Sequence, residues 1–325
     1  MKAPAFSSLT SQTDAFIKLS GDYESNSVSH AYLFVSPDRL LLTCLSRMFA
    51  ALCITGDPIG EAGLIVQSGV HADVKIYPAP EKQTVLTADV DDLISSLYYR
   101  PTAGDKKFYI IDYGETMNAS CQNKLLKTLE EPPQSVYIII NAADTSALLP
   151  TVVSRCKQIK PPPFTERQLT ESLEEEYPHS DKIGLAVSLS RGLLSYCEKA
   201  MTDGAYLKSF DNALSVLSSL KNSKNILPCV SRIIGDKAEL SETIGFFEII
   251  FRDVMAYQAA GESAITCGAL GEKIAVLASE YSPGAVVEIM PAVWNAKKRL
   301  TLNGNPTSVA DELLFNIAKA KAKYK

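Results

Sequence analysis

No stretch of this chain approaches the roughly 18 continuous apolar residues that a membrane-spanning helix requires. The opening MKAPAFSSLTSQTDAF carries no apolar signal core, so a cytoplasmic protein with no membrane partner is expected. Basic charge is not in excess: 32 Lys and Arg stand against 37 Asp and Glu, a net charge of −5. That balance excludes a surface coated for nucleic acid, so any DNA contact must be local or belong to a partner. None of the seven cysteines (44, 53, 121, 156, 197, 229 and 267) forms a Cys-x2-Cys pair. An odd number scattered over a long chain reads as buried thiols in a reducing compartment. Internal repeats and low-complexity tracts are absent too. At 325 residues, 46% hydrophobic and 21% charged, the composition is that of a globular protein of two or three domains.

What is present is an alternation of apolar runs. Residues 30–36 (HAYLFVS), 71–78 (HADVKIYP), 108–112 (FYIID) and 136–141 (VYIIIN) read as strands. Leu40 to Cys53 reads as a helix packed on them. Between the last two strands, Cys121, Leu125, Leu126 and Leu129 fall at helical spacing, with Pro132-Pro133 as the stop. Strands without polar alternation, separated by helices, predict a parallel sheet covered on both faces. Pro161-Pro162-Pro163 ends that pattern. Residues 166–202 follow as a small helical unit broken at Arg191-Gly192. From about 205 onward the pattern is helical, with turns near Asn222-Ser223, Ser282-Pro283 and Asn303-Gly304-Asn305-Pro306.

Three stretches together resemble the clamp-loader branch of the AAA+ family. They are His30-Ala31-Tyr32-Leu33-Phe34; Asn123-Lys124-Leu125-Leu126-Lys127-Thr128-Leu129-Glu130-Glu131-Pro132-Pro133; and Leu148-Leu149-Pro150-Thr151-Val152-Val153-Ser154-Arg155-Cys156. Ala296-Lys297-Lys298-Arg299-Leu300, Asn303, Asn305 and Glu312-Leu313-Leu314 look like the last helices of that family's collar domain. Apolar residues at helical spacing over 118–130 would by themselves mean only core; the LLKTLEEPP string is what carries the resemblance there. The fold it implies is an α/β N-terminal AAA+ domain with a RecA-like parallel sheet (1–163), a small helical lid domain (164–204) and an all-α collar domain for oligomerisation (205–325).

Against that family, much is missing. A P-loop needs Gly-x-x-x-x-Gly-Lys-Ser/Thr, so that backbone N–H groups close around phosphate and the Lys neutralises it. The matching segment is Ser36-Pro37-Asp38-Arg39-Leu40-Leu41-Leu42-Thr43: Ser36 and Leu41 replace the glycines, Leu42 the lysine, and Asp38 adds repulsion. Asp112 matches the magnesium-associated acid, but Tyr113 replaces the Glu that would polarise water, and a phenol is a poor base at neutral pH. Glu115 lies elsewhere on the turn. The family's ATP-sensing Arg would follow the Gly192 turn, and Ser195 stands near that place. Of the four-cysteine zinc module found in relatives only Cys53 remains, with Ile59, Ala62 and Ile65 at the other places; Cys53 and His71 alone do not make a structural zinc site. Neither a cofactor nor a metal is expected.

Ser154-Arg155-Cys156 is intact. In the family this Arg reaches the ATP of the neighbouring subunit, so the resemblance implies that Arg155 is a trans-acting arginine finger, with Ser154 and Cys156 as motif neighbours. An Arg without that motif would read as a surface residue paired with a carboxylate. The implied function is a stator without intrinsic catalysis in the bacterial DNA polymerase III clamp loader. Its partners would be the tau/gamma ATPase subunits and the delta subunit in a five-member ring, acting on the sliding clamp and primed DNA. A self-sufficient ATPase of the same family conflicts with residues 36–43. A scaffold that borrowed the fold for another DNA-maintenance pathway is the remaining alternative. The C-terminal Lys297, Lys298, Arg299, Lys319, Lys321, Lys323 and Lys325 read as favourable charge at helix ends rather than as a DNA site, and IAKAKAKYK as a solvated, fraying end.

Overall fold

The computed structural model describes residues 6–220, 225–265 and 270–324. The turn expected near Asn222-Ser223, together with Cys267 and Lys325, lies outside the described residues. The chain divides into two compact units: residues 1–179 with 192–195, and residues 180–191 with 196–325.

The first unit is built on a five-stranded parallel sheet: β1 (Ala31–Val35), β2 (Val74–Tyr77), β3 (Lys107–Ile111), β4 (Val136–Ala142) and β5 (Lys157–Ile159), in the order β2-β3-β4-β1-β5. The apolar runs are explained by what covers the sheet. Ala31 and Leu33 of β1 face one core cluster, while Tyr32 and Phe34 face the other. A strand buried on both faces has no polar side to alternate. One face is covered by α5 (Thr87–Ser96), α6 (Ala119–Glu130) and α7 (Pro150–Val153). The other is covered by α2 (Asp14–Glu24) and α3 (Arg39–Thr55), with Phe16, Leu45, Phe49 and Leu52 against Phe34 and Phe108. Helices α1 (Ser7–Ser11), α4 (Glu61–Gln67) and α8 (Glu166–Glu176) complete the unit. Asn118 caps α6 by accepting from the Cys121 N–H at 2.9 Å. The stop is Glu131, the residue before Pro132.

The second unit is helical among its described residues: α9 (Ile183–Ser190), α10 (Leu194–Thr202), whose first two residues belong to the first unit, α11 (Gly204–Ser219), α12 (Ile226–Ile233), α13 (Lys237–Ala260), α14 (Gly271–Glu280), α15 (Pro283–Thr301) and α16 (Pro306–Lys323). Helix α13 runs through its centre and buries Leu240, Phe246, Phe247, Ile250 and Phe251. Ser282 and Asn305 stand at the N-caps of α15 and α16, each followed by Pro at the first helical position, which is the placement that punctuated the sequence. The end of α16 differs from the solvated tail expected. Lys321 is only 7% exposed, its Nζ 2.8 Å from Glu280 and 4.0 Å above the Tyr281 ring. Its aliphatic stem packs while its charge finds a carboxylate and an aromatic face. Among the described residues no helix is long and apolar enough to cross a membrane.

Candidate functional site

In open parallel sheets, ligand chemistry gathers beyond the carboxyl ends of the strands. Here the turn after β1 (Ser36–Asp38), the end of β3 (Asp112, Tyr113) and the end of β4 (Asn141) converge on that edge, because β1 and β3 flank β4 in parallel register. Asn141 pairs with Phe34 in the ladder and is buried; its Nδ2 donates to Asp112 Oδ1 at 2.7 Å and to Ser46 Oγ at 3.0 Å. Burial pushes the Asp112 carboxyl up, while the Asn141 amide and the Arg47 and Arg39 charges pull it back in part.

The turn itself is filled by side chains. Leu41 and Leu42, at the places of a P-loop's second glycine and lysine, are each 1% exposed. Asp38 is equally buried and is the N-cap of α3: its Oδ1 accepts from the Leu41 N–H at 3.2 Å. The same carboxylate accepts from the N–H groups of Leu194 and Ser195, the latter at 3.1 Å. Ser195 therefore lies against the P-loop-like turn. Arg39 forms an ion pair with Glu115, and its guanidinium lies 4.7 Å from the centroid of the Tyr113 ring. Glu115 also accepts from the Ala143 N–H at 3.1 Å. That carboxylate is thus consumed in holding the turn after β3 and is not free to orient water.

What remains open is a cleft of about 160 Å³ lined by Leu42, Thr43, Arg47, Asp112, Tyr113 and Asn141 among others. Small-molecule pockets start at roughly 300 Å³. With that volume, and with the Asp38 carboxylate on the Leu41 N–H at the start of α3, the residues do not fit a nucleoside triphosphate and its magnesium. The zinc positions are equally unsuited. Cys53 is buried with its thiol pushed up to about 12 by burial, whereas Ile59 and Ile65 are exposed on the surface. Among the described residues no cluster of three or more His, Cys, Asp or Glu is placed to hold a metal.

Arg155 lies elsewhere, just past α7. Its side chain is about one-third exposed, with Nη2 2.5 Å from Glu130 Oε1 and Nη1 donating to the Thr151 carbonyl at 2.9 Å. Ser154 is exposed, and Cys156 is buried with its thiol pushed up to about 12. Glu130, the last residue of α6, belongs to the LLKTLEEPP string, so two of the three sequence stretches meet in one ion pair. Sequence reasoning missed that contact, Asn141, the Arg39–Glu115 pair and the reach of Asp38 to 194–195. Only Asp38 left a local signal, an acid immediately before a helix.

A family model described as DNA polymerase III, delta subunit, matches residues 11–165. A DNA polymerase III subunit delta' from Bacillus subtilis is 24% identical over 305 residues, covering 90% of this chain and 92% of the relative. A subunit delta' from Pseudomonas aeruginosa is 30% identical over 138 residues, 40% of this chain and 42% of that one. A subunit tau/gamma from Haemophilus influenzae is 29% identical over 216 residues, and the chain spans 31% of its length. Among solved structures, a DNA polymerase III gamma-subunit-related protein from Thermotoga maritima aligns with a TM-score of 0.50 at 17% identity, covering 93% of this chain and 99% of that one, a likeness of fold alone.

The sheet order and the turn from β1 into α3 make an AAA+-type α/β fold. In sequence, the relatives it resembles are DNA polymerase III subunits, two of these three being subunits delta'.

Proposed function

We propose that this chain is a non-ATPase stator subunit of the bacterial DNA polymerase III clamp loader, cytoplasmic and without intrinsic catalysis. In this reading it joins tau/gamma ATPase subunits and a delta subunit in a five-member ring that loads the sliding clamp onto primed DNA. The observation that carries it is a contrast: the P-loop turn is closed by Asp38, Leu41 and Leu42, yet Ser154-Arg155-Cys156 is intact on a partly exposed helix end. A family member that fills its own nucleotide site and keeps its finger is useful only beside a neighbour that binds ATP.

Arg155 is the residue assigned to that neighbour. Its pairing with Glu130 is half-exposed, and exposed ion pairs are worth about 0–1 kcal/mol. The guanidinium can therefore exchange Glu130 for a phosphoryl group at little cost, and its fork matches the transferring phosphoryl oxygens. The division into AAA+, lid and collar domains belongs to the same proposal, with the helices after 205 closing the ring.

The test is assembly. The purified chain, mixed with tau/gamma and delta subunits from the same cells, is weighed by native mass spectrometry. A complex of five subunits with one copy of this chain supports the reading. A chain that stays alone, or that pulls out a different set of DNA-maintenance proteins from those cells, supports the scaffold alternative and ends the stator reading.

A further inference from the structure

The Asp38 carboxylate sits where two helices begin. Its Oδ1 takes the Leu41 N–H in the first turn of α3 at 3.2 Å and the Ser195 N–H at 3.1 Å, and its Oδ2 takes the Leu194 N–H. Leu194 and Ser195 are the first residues of α10. Burial pushes the Asp38 carboxyl up, and the amides of Leu41, Leu194 and Ser195 with the Ser195 hydroxyl pull it back in part. Every backbone group facing the carboxylate is a donor, which is the environment of an acceptor-only anion. Among the described residues no side-chain cation is paired with it; Arg39, next in sequence, is committed to Glu115. A buried anion neutralised by helix N-terminal amides is how proteins hold phosphate.

The segment that Asp38 captures is unusual in its own right. Residues 192–195 belong to the first unit, although the chain on both sides of them belongs to the second. Two features bring this return segment in. Gly192 has φ +80°, a left-handed conformation costly for any side chain. A Cβ there would stand 2.6 Å from the Phe164 carbonyl oxygen, and the Phe164 N–H donates to the Gly192 carbonyl at 2.8 Å. The other anchor is Asp38, 156 residues away in sequence from Leu194.

We propose that Asp38 is an internal substitute for a bound phosphate. Its carboxylate occupies the Leu41 N–H in the first turn of α3 and staples the Gly192–Ser195 segment to the same point. The first unit thereby holds this segment with its own side chain, whatever nucleotide is present in solution. A phosphate-like oxyanion is excluded both by the occupied amides and by the carboxylate's charge. The inference stands on the Asp38 geometry and not on the partners proposed above, so either can fail alone.

Hydrogen exchange by mass spectrometry on the full chain tests it, with Asp38→Ser and Asp38→Ala beside the wild type. A serine keeps the cap of α3, because its hydroxyl can accept from Leu41, but it is too short to serve Leu194 and Ser195 as well. In Asp38→Ser the amides of 194–195 should exchange about tenfold faster or more, the loss expected when a charge-assisted hydrogen bond goes. Amides of β1 and β4 should exchange as in the wild type. Inorganic phosphate at tens of millimolar should slow the 194–195 amides in Asp38→Ala and leave the wild type unchanged. Wild-type exchange at 194–195 in Asp38→Ser would show that something else holds the segment. Loss of protection in β1 and β4 together with 194–195 would make Asp38 a support of the whole sheet rather than a staple. No effect of phosphate on Asp38→Ala, or an equal effect on the wild type, would overturn its role as a phosphate substitute.

Discussion

Restoring the second P-loop glycine should break the first unit rather than revive it. Leu41 is 1% exposed and occupies the first turn of α3, the helix that with α2 covers one face of the sheet. Truncating a fully buried leucine to alanine costs about 2.7–5 kcal/mol, because the transfer energy is lost and a cavity is left. Going on to glycine adds up to about 1 kcal/mol of backbone entropy in a helix. The sum, about 3–6 kcal/mol, is a large part of the roughly 5–15 kcal/mol that holds an ordinary domain together. The assay must resolve the two units. Trp294, the single tryptophan, lies in the second, so its fluorescence does not follow the first. Hydrogen exchange of β1, β3 and β4 amides across a urea series does. Leu41→Gly should shift the first-unit transition to much lower urea, with the Trp294 transition nearly unchanged. A variant with the wild-type first-unit midpoint would refute the claim that bulk at this position is structural. Micromolar ATP binding by that variant would refute the account of why the site is closed.

Two smaller predictions follow from burial of ionisable groups. Asp112 has a folded pKa above its usual value, so the folded state binds its proton more tightly than the unfolded state; stability contributed by the protonated form is present below about pH 3.8 and declines as pH rises through the folded value. Asp112→Asn should flatten that decline in a pH series of thermal unfolding, and a steeper decline in the variant would reverse the assignment. Cys53 and Cys156, both pushed up to about 12 by burial, should react with iodoacetamide at pH 8 at least tenfold more slowly in the folded chain than in urea; equal rates would mean that neither site is closed.

The sheet was legible because burial on both faces leaves an uninterrupted apolar run, and β1, β3 and β4 are such runs. Strand β5 was not: Lys157–Ile159 is three residues long, and two of them are polar because this strand lies at the sheet's edge. The helix over 118–130 was legible from its spacing and its Pro-Pro stop. The Pro161–Pro163 stop marks the end of the sheet, yet α8 beyond it still packs on the first unit through α1, a contact that no local pattern encodes. At the site, the sequence indicated what had been lost, since a missing glycine or lysine is visible by itself. It did not indicate what had replaced it. Asp38 reads as a charge that repels phosphate, and only the fold brings the amides of 194 and 195 to it. Lys321 misled for a similar reason: a lysine-rich end looks solvated until Glu280 and Tyr281 are placed against it.

The central claim, that this chain serves the ATP of a neighbour through Arg155, has a direct measurement. Wild-type and Arg155→Ala chains are assembled separately with tau/gamma and delta subunits, and ATP turnover is measured with sliding clamp and primed DNA present. Removing an arginine finger costs about 10³-fold or more at the site it serves. The loss for the whole ring should be smaller, since the remaining sites keep their own fingers. The fold and the ring should survive, because Arg155 is partly exposed and its pair with Glu130 contributes at most about 1 kcal/mol. The account predicts normal assembly with clearly reduced turnover and clamp loading. Normal assembly with both unchanged would contradict it and leave Arg155 as an ordinary surface partner of Glu130.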